Sequence, residues 1–365
     1  MTTSDQSHSK NFIVVGAGIV GSSIAYHLIR RGAEVTLIDA GAVGGKATAC
    51  SWAWTNASFG NPKPYFDLRS RSMALWDKLG AELPDLPYRR TGTLYADNDR
   101  FSVEAFVENH SQWGYDCRLV TRDQARQYEP AVKVLEGPLA IAEGEGQVEA
   151  TAAAQVFATQ ARKAGAMVFT GIGIDAVSVD GSGRVDGVVL DAAPLKADEV
   201  IVAAGTETRR IVEPLGVNLP MRSPPGLLVT TRPLPRLFDR LILLPDLHVR
   251  QLPDGALLAG TSFTGEETDA PPEAQAEALV QRIRDMIAGA EGAELSHWTV
   301  GHRPVPEDGF PVIGRPGRIG GLYIATMHSG VTLAPVVGEL VTREVIEGTR
   351  DLLLVPFGPD RFQDN

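Results

Sequence analysis

The sequence predicts an α/β fold in which a domain with a parallel sheet is interleaved with an α+β domain built on a mostly antiparallel sheet. Residues 12–40 read as strand, helix and strand, and residues 151–170 repeat the alternation of helix and strand. Residues 227–264 instead show short alternating strands separated by turn residues. Because no repeat or low-complexity tract divides the 365 residues, we expect each domain to use several segments of the chain.

A glycine fingerprint connects the first predicted strand and helix. Gly16, Gly18 and Gly21 follow the apolar run 12–15, and Asp39 ends the next apolar run about 20 residues later. In such a unit the first glycine allows a tight turn, the second lets the backbone approach a pyrophosphate, and the third lets helix and strand pack closely. The spacing therefore predicts a Rossmann-like unit that binds an adenine dinucleotide, either NAD or FAD, through Gly16, Ala17, Gly18, Ile19, Val20, Gly21, Asp39 and Ala40.

The remaining elements follow from hydrophobic periodicity and from the positions of glycine and proline. We expect helices over residues 66–79, 101–113, 121–128, 151–163, 273–288 and 331–348. Strands are expected over residues 90–96, 166–170, 175–179, 185–190, 199–203 and 321–326. These elements divide into a dinucleotide-binding domain of residues 11–85, 145–220 and 300–365 and a second domain of residues 86–144 and 221–299.

Composition and charge narrow the class of protein. The hydrophobic share of 44% and the charged share of 22% are those of an ordinary globular chain, and the net charge of −11 argues against nucleic acid or anionic membrane as a partner. Cys50 and Cys117 are too few for a disulfide scaffold and lack metal-ligand spacing, so we expect a reducing compartment and no metal site. No apolar run approaches the roughly 20 residues that span a bilayer, and residues 1–10 lack the apolar core of a signal peptide. We therefore expect a disordered tail over residues 1–10 and a cytoplasmic protein.

Segments from both ends of the chain together resemble the glycine/D-amino acid oxidase family of FAD-dependent oxidoreductases. This family includes sarcosine oxidase, glycine oxidase and bacterial D-amino acid dehydrogenases. The similarity runs nearly end to end and rests on the N-terminal glycines, residues 45–48, 146–149 and 203–205, and above all Gly301-His-Arg-Pro304, Asp308-Gly-Phe-Pro-Val-Ile-Gly314 and Gly330-Val-Thr-Leu-Ala-Pro335. The resemblance implies a split FAD site, with the adenosine on the N-terminal unit and the flavin beside the C-terminal helix.

Further cofactor contacts are implied by the same resemblance. Beyond the fingerprint they are Gly45, Lys46, Ala47, Thr48, Ser51, Trp52, Ala53, Trp54, Val177, Ala204, Gly205, Ser329, Gly330, Val331 and Thr332. The N-terminus of the 331–348 helix would bring partial positive charge to the flavin edge that becomes anionic on reduction. A plain helix-capping loop is the alternative for residues 327–330, and simple packing is the alternative for the two tryptophans.

Three residues are candidates for substrate chemistry. An arginine at the position of Arg303 holds the substrate carboxylate in glycine oxidase relatives, and its guanidinium suits a carboxylate bidentately; a structural salt bridge is the alternative. His248 falls on the strand where relatives place a carboxylate-binding tyrosine, or else it is a half-buried histidine of the sheet. His328 precedes the flavin-facing glycine, where it either contacts substrate and handles a proton or caps the backbone.

Two departures from the sarcosine oxidases refine these expectations. The cysteine that attaches their flavin is replaced here by Gly301, with neither cysteine of this chain nearby, so we expect noncovalent FAD. The lysine that activates oxygen in those enzymes has no counterpart in Thr264-Gly-Glu-Glu-Thr-Asp269. This absence favours a dehydrogenase over an oxidase.

The resemblance implies hydride transfer to the flavin N5 and oxidation of the C–N bond of an amino acid or N-substituted amino acid to an imine. The substrate classes are D-amino acids, glycine- or sarcosine-like compounds, proline derivatives and opines, and the electron acceptor is oxygen, a quinone or a partner flavoprotein. One alternative is a flavoprotein subunit of a hetero-oligomeric dehydrogenase that is inactive alone. Others are an NAD(P)-dependent reductase and a noncatalytic FAD-binding protein, and whether the chain forms homo- or hetero-oligomers stays open.

Overall fold

The computed structural model describes residues 9–58, 61–97, 102–133, 135–260 and 270–362. The chain divides into two compact units. The first contains residues 1–48, 150–222 and 304–365, and the second contains residues 49–149 and 223–303. These bounds differ from the expected ones mainly over residues 49–85. That segment belongs to the second unit because strand Trp54–Thr55 pairs with Gly146–Val148, which also pairs with Tyr88–Arg90.

A six-stranded sheet forms the centre of the first unit. Its strands lie in the order Val312–Gly314, Leu322–Thr326, Glu199–Val202, Asn11–Val15, Glu34–Asp39 and Met167–Thr170. All neighbours are parallel except the first pair. The run Phe12–Val15 is buried throughout, as expected for a strand that has neighbours on both edges and layers on both faces.

Helices and smaller elements complete this unit. Helix Ile19–Arg30 packs against both Ala150–Lys163 and Gly330–Glu347. Two further sheets are present, one of Ala176–Val179, Val185–Leu190 and Ala193–Lys196, the other of Met221–Arg222 and Val305–Pro306. Short helical segments are Gly205–Glu207, Thr208–Val212, Glu213–Leu215, Leu352–Phe357 and Pro359–Phe362.

The predicted disordered tail covers residues 1–10, of which residues 1–8 lie outside the described residues. Lys10 is held against helix Gly330–Glu347, because its ammonium group donates to the Val345 carbonyl at 2.9 Å.

An eight-stranded sheet forms the centre of the second unit. Its strands lie in the order Leu295–His302, Pro225–Thr231, Leu257–Gly260, Leu247–Gln251, Leu241–Leu244, Thr93–Ala96, Leu139–Ala142 and Cys117–Val120. Among the described strands of this sheet, only Leu241–Leu244 and Thr93–Ala96 run parallel to each other, so the expectation of a mostly antiparallel sheet is confirmed. The helices of this unit are Lys63–Glu82, Val103–Ser111, Arg122–Tyr128 and Pro272–Met286.

The predicted strand 90–96 is wrong as a single element. Tyr88–Arg90 pairs in the small sheet with Gly146–Val148, whereas Thr93–Ala96 belongs to the eight-stranded sheet. Gly92 lies between them with φ of +72°, a left-handed conformation that turns the chain from one sheet to the other.

The two faces of the eight-stranded sheet have different roles. On one face Val229, Val249 and Ala259 pack with Leu279 and Ile283 of helix Pro272–Met286 in an apolar core. Neighbouring residues along a strand point to opposite sides, so Leu228, His248 and Gly260 belong to the other face. This second face carries two of the three candidate substrate residues, His248 and the guanidinium of Arg303.

Candidate active site

The glycine fingerprint occupies the turn between Asn11–Val15 and Ile19–Arg30 in the first unit. Gly16 has φ of +104°, and a Cβ there would lie 2.5 Å from the Ala203 carbonyl oxygen. A Cβ on Gly21 would lie 1.8 Å from the Gly16 carbonyl oxygen. Both positions therefore exclude any side chain for reasons internal to the fold.

Gly18 is different from the other two glycines. Among the described residues, and leaving its chain neighbours aside, a Cβ on Gly18 would meet the hydroxyl of Thr48, at 3.3 Å, and no backbone atom within 4 Å. The protein itself thus leaves space over Gly18. That space fits the requirement that the backbone at the second glycine approach a ligand pyrophosphate at the helix N-terminus.

The loop after the second strand is held against this helix start. Thr48 accepts a hydrogen bond from the Ile19 N–H at 3.1 Å, which satisfies a donor of the first turn, since the N-cap residue Gly18 has no side chain. The Gly44 N–H donates to the Ala17 carbonyl at 2.9 Å. Gly45 and Lys46 are exposed, and Ala47 is partly buried.

Asp39 lies beside the fingerprint, as its spacing predicted. Its Oδ2 accepts from the Ala17 N–H at 2.6 Å and its Oδ1 accepts from the Gly41 N–H at 2.7 Å. Each carboxylate oxygen has a second lone pair, so both can still accept from ribose hydroxyls. Ala40 follows as an exposed residue.

The start of helix Gly330–Glu347 meets the start of helix Ile19–Arg30. A Cβ on Gly330 would lie 3.1 Å from Cγ2 of Val20, so two residues predicted to bind the cofactor from opposite ends of the chain lie together. Ser329 has φ of +58° and provides no side-chain cap. A non-glycine residue in this conformation costs about 1–3 kcal/mol and is most often found at functional sites.

The other candidates of the first unit surround this helix start or lie in the core. His328 Nδ1 is 3.3 Å from the Ser329 hydroxyl. The Gly205 carbonyl accepts from the Thr326 hydroxyl at 3.3 Å. Val177 and Ala204 pack against the apolar core of the unit. Val331 and Thr332 are buried in the first turn of the helix.

Trp52 and His248 meet in the second unit. Their ring centroids are 6.1 Å apart, and the Trp52 indole N–H donates to the Leu258 carbonyl at 3.2 Å. His248 is buried rather than half-buried, with 6% of its surface exposed. Burial lowers its pKa to about 4, so the imidazole is neutral at pH 7.

Arg303 lies at the end of strand Leu295–His302 and turns back over the neighbouring strand. Its Nη1 donates to the Pro225 carbonyl at 3.1 Å, and its guanidinium lies against Gly226. Burial lowers the pKa of Arg303, although a guanidinium stays protonated in proteins.

Strand register places His248 and Arg303 on one sheet face. His248 is opposite Gly260, and Leu228 fills the space that a Gly260 side chain would take, with Cδ2 3.0 Å from the Cβ position. Gly226 is two residues before Leu228 and therefore shares its face. The Arg303 guanidinium rests on that face.

The expectation that neither cysteine lies near Gly301 is wrong. A Cβ on Gly301 would lie 2.4 Å from Cβ of Cys50 and 3.5 Å from its sulfur. The two residues are far apart in sequence but lie against each other in the second unit. Cys50 is a partly exposed free thiol.

A buried carboxyl group missing from the sequence predictions anchors the tryptophan loop. Glu145 is fully buried and accepts hydrogen bonds from Trp54 Nε1 at 2.8 Å, Tyr95 at 2.7 Å and Tyr115 at 2.5 Å. Burial raises its pKa. The only signal in the sequence was an acid between Gly144 and Gly146, ahead of a motif used for recognition.

Ala53 lies in the same loop and has a strained backbone. Its φ is +57°, and its N–H donates to the Ser51 hydroxyl at 3.0 Å. Trp52 and Trp54, on either side of Ala53, pack edge to face with centroids 5.8 Å apart. The strained alanine thus lies between two indoles that are each held by a hydrogen bond, Trp52 to the Leu258 carbonyl and Trp54 to Glu145.

Comparison with known proteins identifies the class of protein. The family model for FAD dependent oxidoreductases matches residues 11–344, and the chain belongs to this family. It is 26% identical to a glycine oxidase of Geobacillus kaustophilus, with 97% of each chain covered, and 27% identical to the hydrogen cyanide synthase subunit HcnC of Pseudomonas aeruginosa, with 97% of this chain and 96% of the relative covered. The fold is that of L-proline dehydrogenase from P. horikoshii, with a TM-score of 0.87 at 22% identity over 98% of each chain.

The chain is therefore an FAD-dependent oxidoreductase, and its cofactor is FAD. This result removes the NAD(P)-dependent reductase and the noncatalytic binding protein from the alternatives. Among the described residues, no helix combines the length and apolar character needed to cross a bilayer. The same part of the chain contains no group of three or more His, Cys, Asp or Glu side chains placed to hold a metal ion.

Proposed function

We propose that this enzyme oxidises the C–N bond of an amino acid or N-substituted amino acid to an imine, with Arg303 holding the substrate carboxylate. The observation that carries the proposal is the Arg303 guanidinium, held by the Pro225 carbonyl on the sheet face that also bears His248. D-amino acids, glycine- or sarcosine-like compounds, proline derivatives and opines are the candidate substrates, because each pairs a carboxylate with an oxidisable C–N bond.

The first unit is proposed to hold FAD. Gly18 and Thr48 face the pyrophosphate. Gly18 leaves space for it, and the Thr48 hydroxyl can donate its proton to a phosphate oxygen while its own oxygen accepts from the Ile19 N–H. Asp39 binds the ribose through oxygens that the Ala17 and Gly41 N–H groups orient. When bound, FAD supplies a hydride acceptor at N5 of its flavin.

The second unit is proposed to bind the substrate. Arg303 provides a permanent positive charge and two parallel N–H donors, the geometry that a carboxylate matches bidentately. His248 is neutral, so it contributes an uncharged hydrogen-bonding group and no competing charge. Trp52 packs beside His248 and keeps water from that part of the face.

The mode of FAD binding and the electron acceptor are further parts of the proposal. FAD is held noncovalently, because the position of the flavin-attaching cysteine in the sarcosine oxidases is Gly301 here. A dehydrogenase is favoured because residues 264–269, which lie outside the described residues, contain no lysine that could take the place of the oxygen-activating lysine of the sarcosine oxidases.

Anaerobic reduction of the purified holoenzyme tests the proposal. A panel of amino acids, N-methyl and N-carboxyalkyl amino acids and simple amines is added, and bleaching of the flavin absorption is followed. We expect bleaching by a subset of the carboxylates, with Arg303→Ala raising the half-saturating concentration at least about 100-fold. Equal bleaching by amines without a carboxylate, or an unchanged half-saturating concentration in Arg303→Ala, would contradict the proposed function. Reoxidation by air or only by a dye then separates oxidase from dehydrogenase.

A flavoprotein subunit that is inactive alone is the second candidate function. It is favoured by the similarity over nearly the whole chain to a relative named as a synthase subunit. Native purification of the tagged protein, with activity measured before and after removal of co-purifying proteins, separates the two candidates. Activity of the isolated chain excludes the second.

A further inference from the structure

We infer that Gly226 is a positioning residue for Arg303: the missing side chain at this strand position sets where the guanidinium lies and thereby the affinity for the substrate carboxylate. The inference rests on the proposed function, in which Arg303 binds that carboxylate. It adds a residue that has no chemistry of its own and that no motif in the sequence marked.

Contact distances define the role of Gly226. A Cβ at this position would lie 2.3 Å from Nη2, 2.6 Å from Cζ and 3.2 Å from Nη1 of Arg303. Real side chains do not approach a Cβ so closely, so the guanidinium occupies space that every residue except glycine would fill. The backbone at Gly226 is ordinary extended strand, paired with Gly301, and needs no glycine for its own conformation.

Neighbouring backbone groups complete the seat of the guanidinium. Nη1 of Arg303 donates to the Pro225 carbonyl at 3.1 Å, and the Arg303 N–H donates to the Pro224 carbonyl at 3.1 Å. Both acceptors are main-chain atoms next to Gly226. The segment 224–226 therefore holds Arg303 at its backbone and at its head group.

Alanine at position 226 is expected to move Arg303 without unfolding the protein. The atoms that the new methyl group would meet belong to the end of a long, flexible side chain, and the backbone conformation suits alanine. To regain ordinary contact the guanidinium must shift by at least about 1 Å, which lengthens its charge-assisted hydrogen bonds to a bound carboxylate and weakens carboxylate binding by about tenfold or more. The change should therefore appear in ligand affinity rather than in stability.

The test compares Gly226→Ala with Gly292→Ala in the holoenzyme. Gly292 belongs to the same compact unit and has no left-handed φ. Apart from its chain neighbours, no atom of the part of the chain that the structure describes lies within 4 Å of its Cβ position, so it controls for a glycine-to-alanine change as such. The probes are propionate, a carboxylate without an amine, and ethylamine, an amine without a carboxylate. Calorimetric titration measures the affinity of each.

We expect Gly226→Ala to weaken the binding of propionate at least about tenfold and to leave the affinity for ethylamine within about twofold of the native value. For the best amino acid of the panel, it should raise KM by a larger factor than it lowers kcat. Gly292→Ala should change none of these. In an Arg303→Lys background, Gly226→Ala should have no further effect on propionate, because the shorter, unforked head group no longer lies against the strand. A merely structural role would weaken the binding of propionate and of ethylamine together and would lower kcat as well.

Two failures are distinguishable. If Arg303→Ala weakens the binding of propionate and Gly226→Ala does not, the inference about Gly226 is overturned and the proposed function stands. If neither variant affects propionate, Arg303 does not bind the carboxylate, and both are overturned.

Discussion

The phenol of Tyr115 donates a hydrogen bond to the carboxyl group of Glu145 at 2.5 Å in the interior of the second unit. Tyr115 also accepts from the Ala57 N–H at 3.0 Å, so one tyrosine ties the loop after Trp54 to a buried acid. Trp54 and Tyr95 reach the same acid. Glu145 is therefore the common acceptor of three side chains from separate segments of the chain.

Removing this acceptor should destabilise the fold. Glu145→Leu leaves the buried donors of Trp54, Tyr95 and Tyr115 without this acceptor. Because each buried donor that loses its partner costs about 1–3 kcal/mol, the free energy of unfolding should fall by at least about 3 kcal/mol. Glu145→Gln keeps one carbonyl oxygen and should cost about half as much or less. Urea unfolding of both variants measures the difference. Equal stability of the leucine variant and the native protein would contradict the role of Glu145.

Acid should act on stability through His248. Its folded pKa of about 4 lies below the ordinary 6.5, so protons bind the unfolded chain more readily, and stability is lost as the pH falls from about 6.5 towards 4. By linkage this loss amounts to about 2–3 kcal/mol at pH 4.5. His248→Gln removes the acid-induced loss of stability. The difference in free energy of unfolding between the native protein and this variant, measured by urea unfolding, should therefore narrow or reverse between pH 7 and pH 4.5. Exposed His297→Gln serves as control, and parallel pH profiles for all three proteins would refute the prediction.

Two glycines of the fingerprint should respond differently to alanine. At Gly21 the methyl group would lie 1.8 Å from a backbone oxygen, so Gly21→Ala should prevent correct folding. At Gly18 the fold leaves space, so Gly18→Ala should fold with a melting temperature of the apoprotein near the native one and lose FAD affinity at least about 30-fold. Quenching of FAD fluorescence on titration measures the affinity. Native FAD affinity in Gly18→Ala would mean that the pyrophosphate does not pass over this residue.

Acid precipitation decides how FAD is attached. The Cys50 thiol lies close to Gly301, the position of the flavin-attaching cysteine in the sarcosine oxidases, so a covalent bond from Cys50 is the alternative to noncovalent binding. We expect all of the yellow flavin in the supernatant after precipitation with trichloroacetic acid, for the native protein and for Cys50→Ser alike. Flavin retained in the native pellet and released from Cys50→Ser would show a covalent bond to this thiol.

Local features of the site could be predicted from the sequence because they depend on residues close together in the chain. Gly16, Gly18 and Gly21 share one turn, and their spacing alone encodes the approach of a dinucleotide. The alternating apolar residues of the second domain likewise predicted its antiparallel sheet. The strand predicted over 90–96 failed at Gly92, because periodicity does not reveal to which sheet each half pairs.

The sequence by itself determined the class of cofactor, the two-part architecture and the identity of the charged residue proposed for the substrate. Only the tertiary structure decided which distant residues meet. The Arg303 guanidinium lies against Gly226, Cys50 occupies the space beside Gly301, and Glu145 accepts hydrogen bonds from three separate segments of the chain. Each of these relations joins residues distant in the chain through strand register and close packing, so none leaves a pattern in a single stretch of sequence.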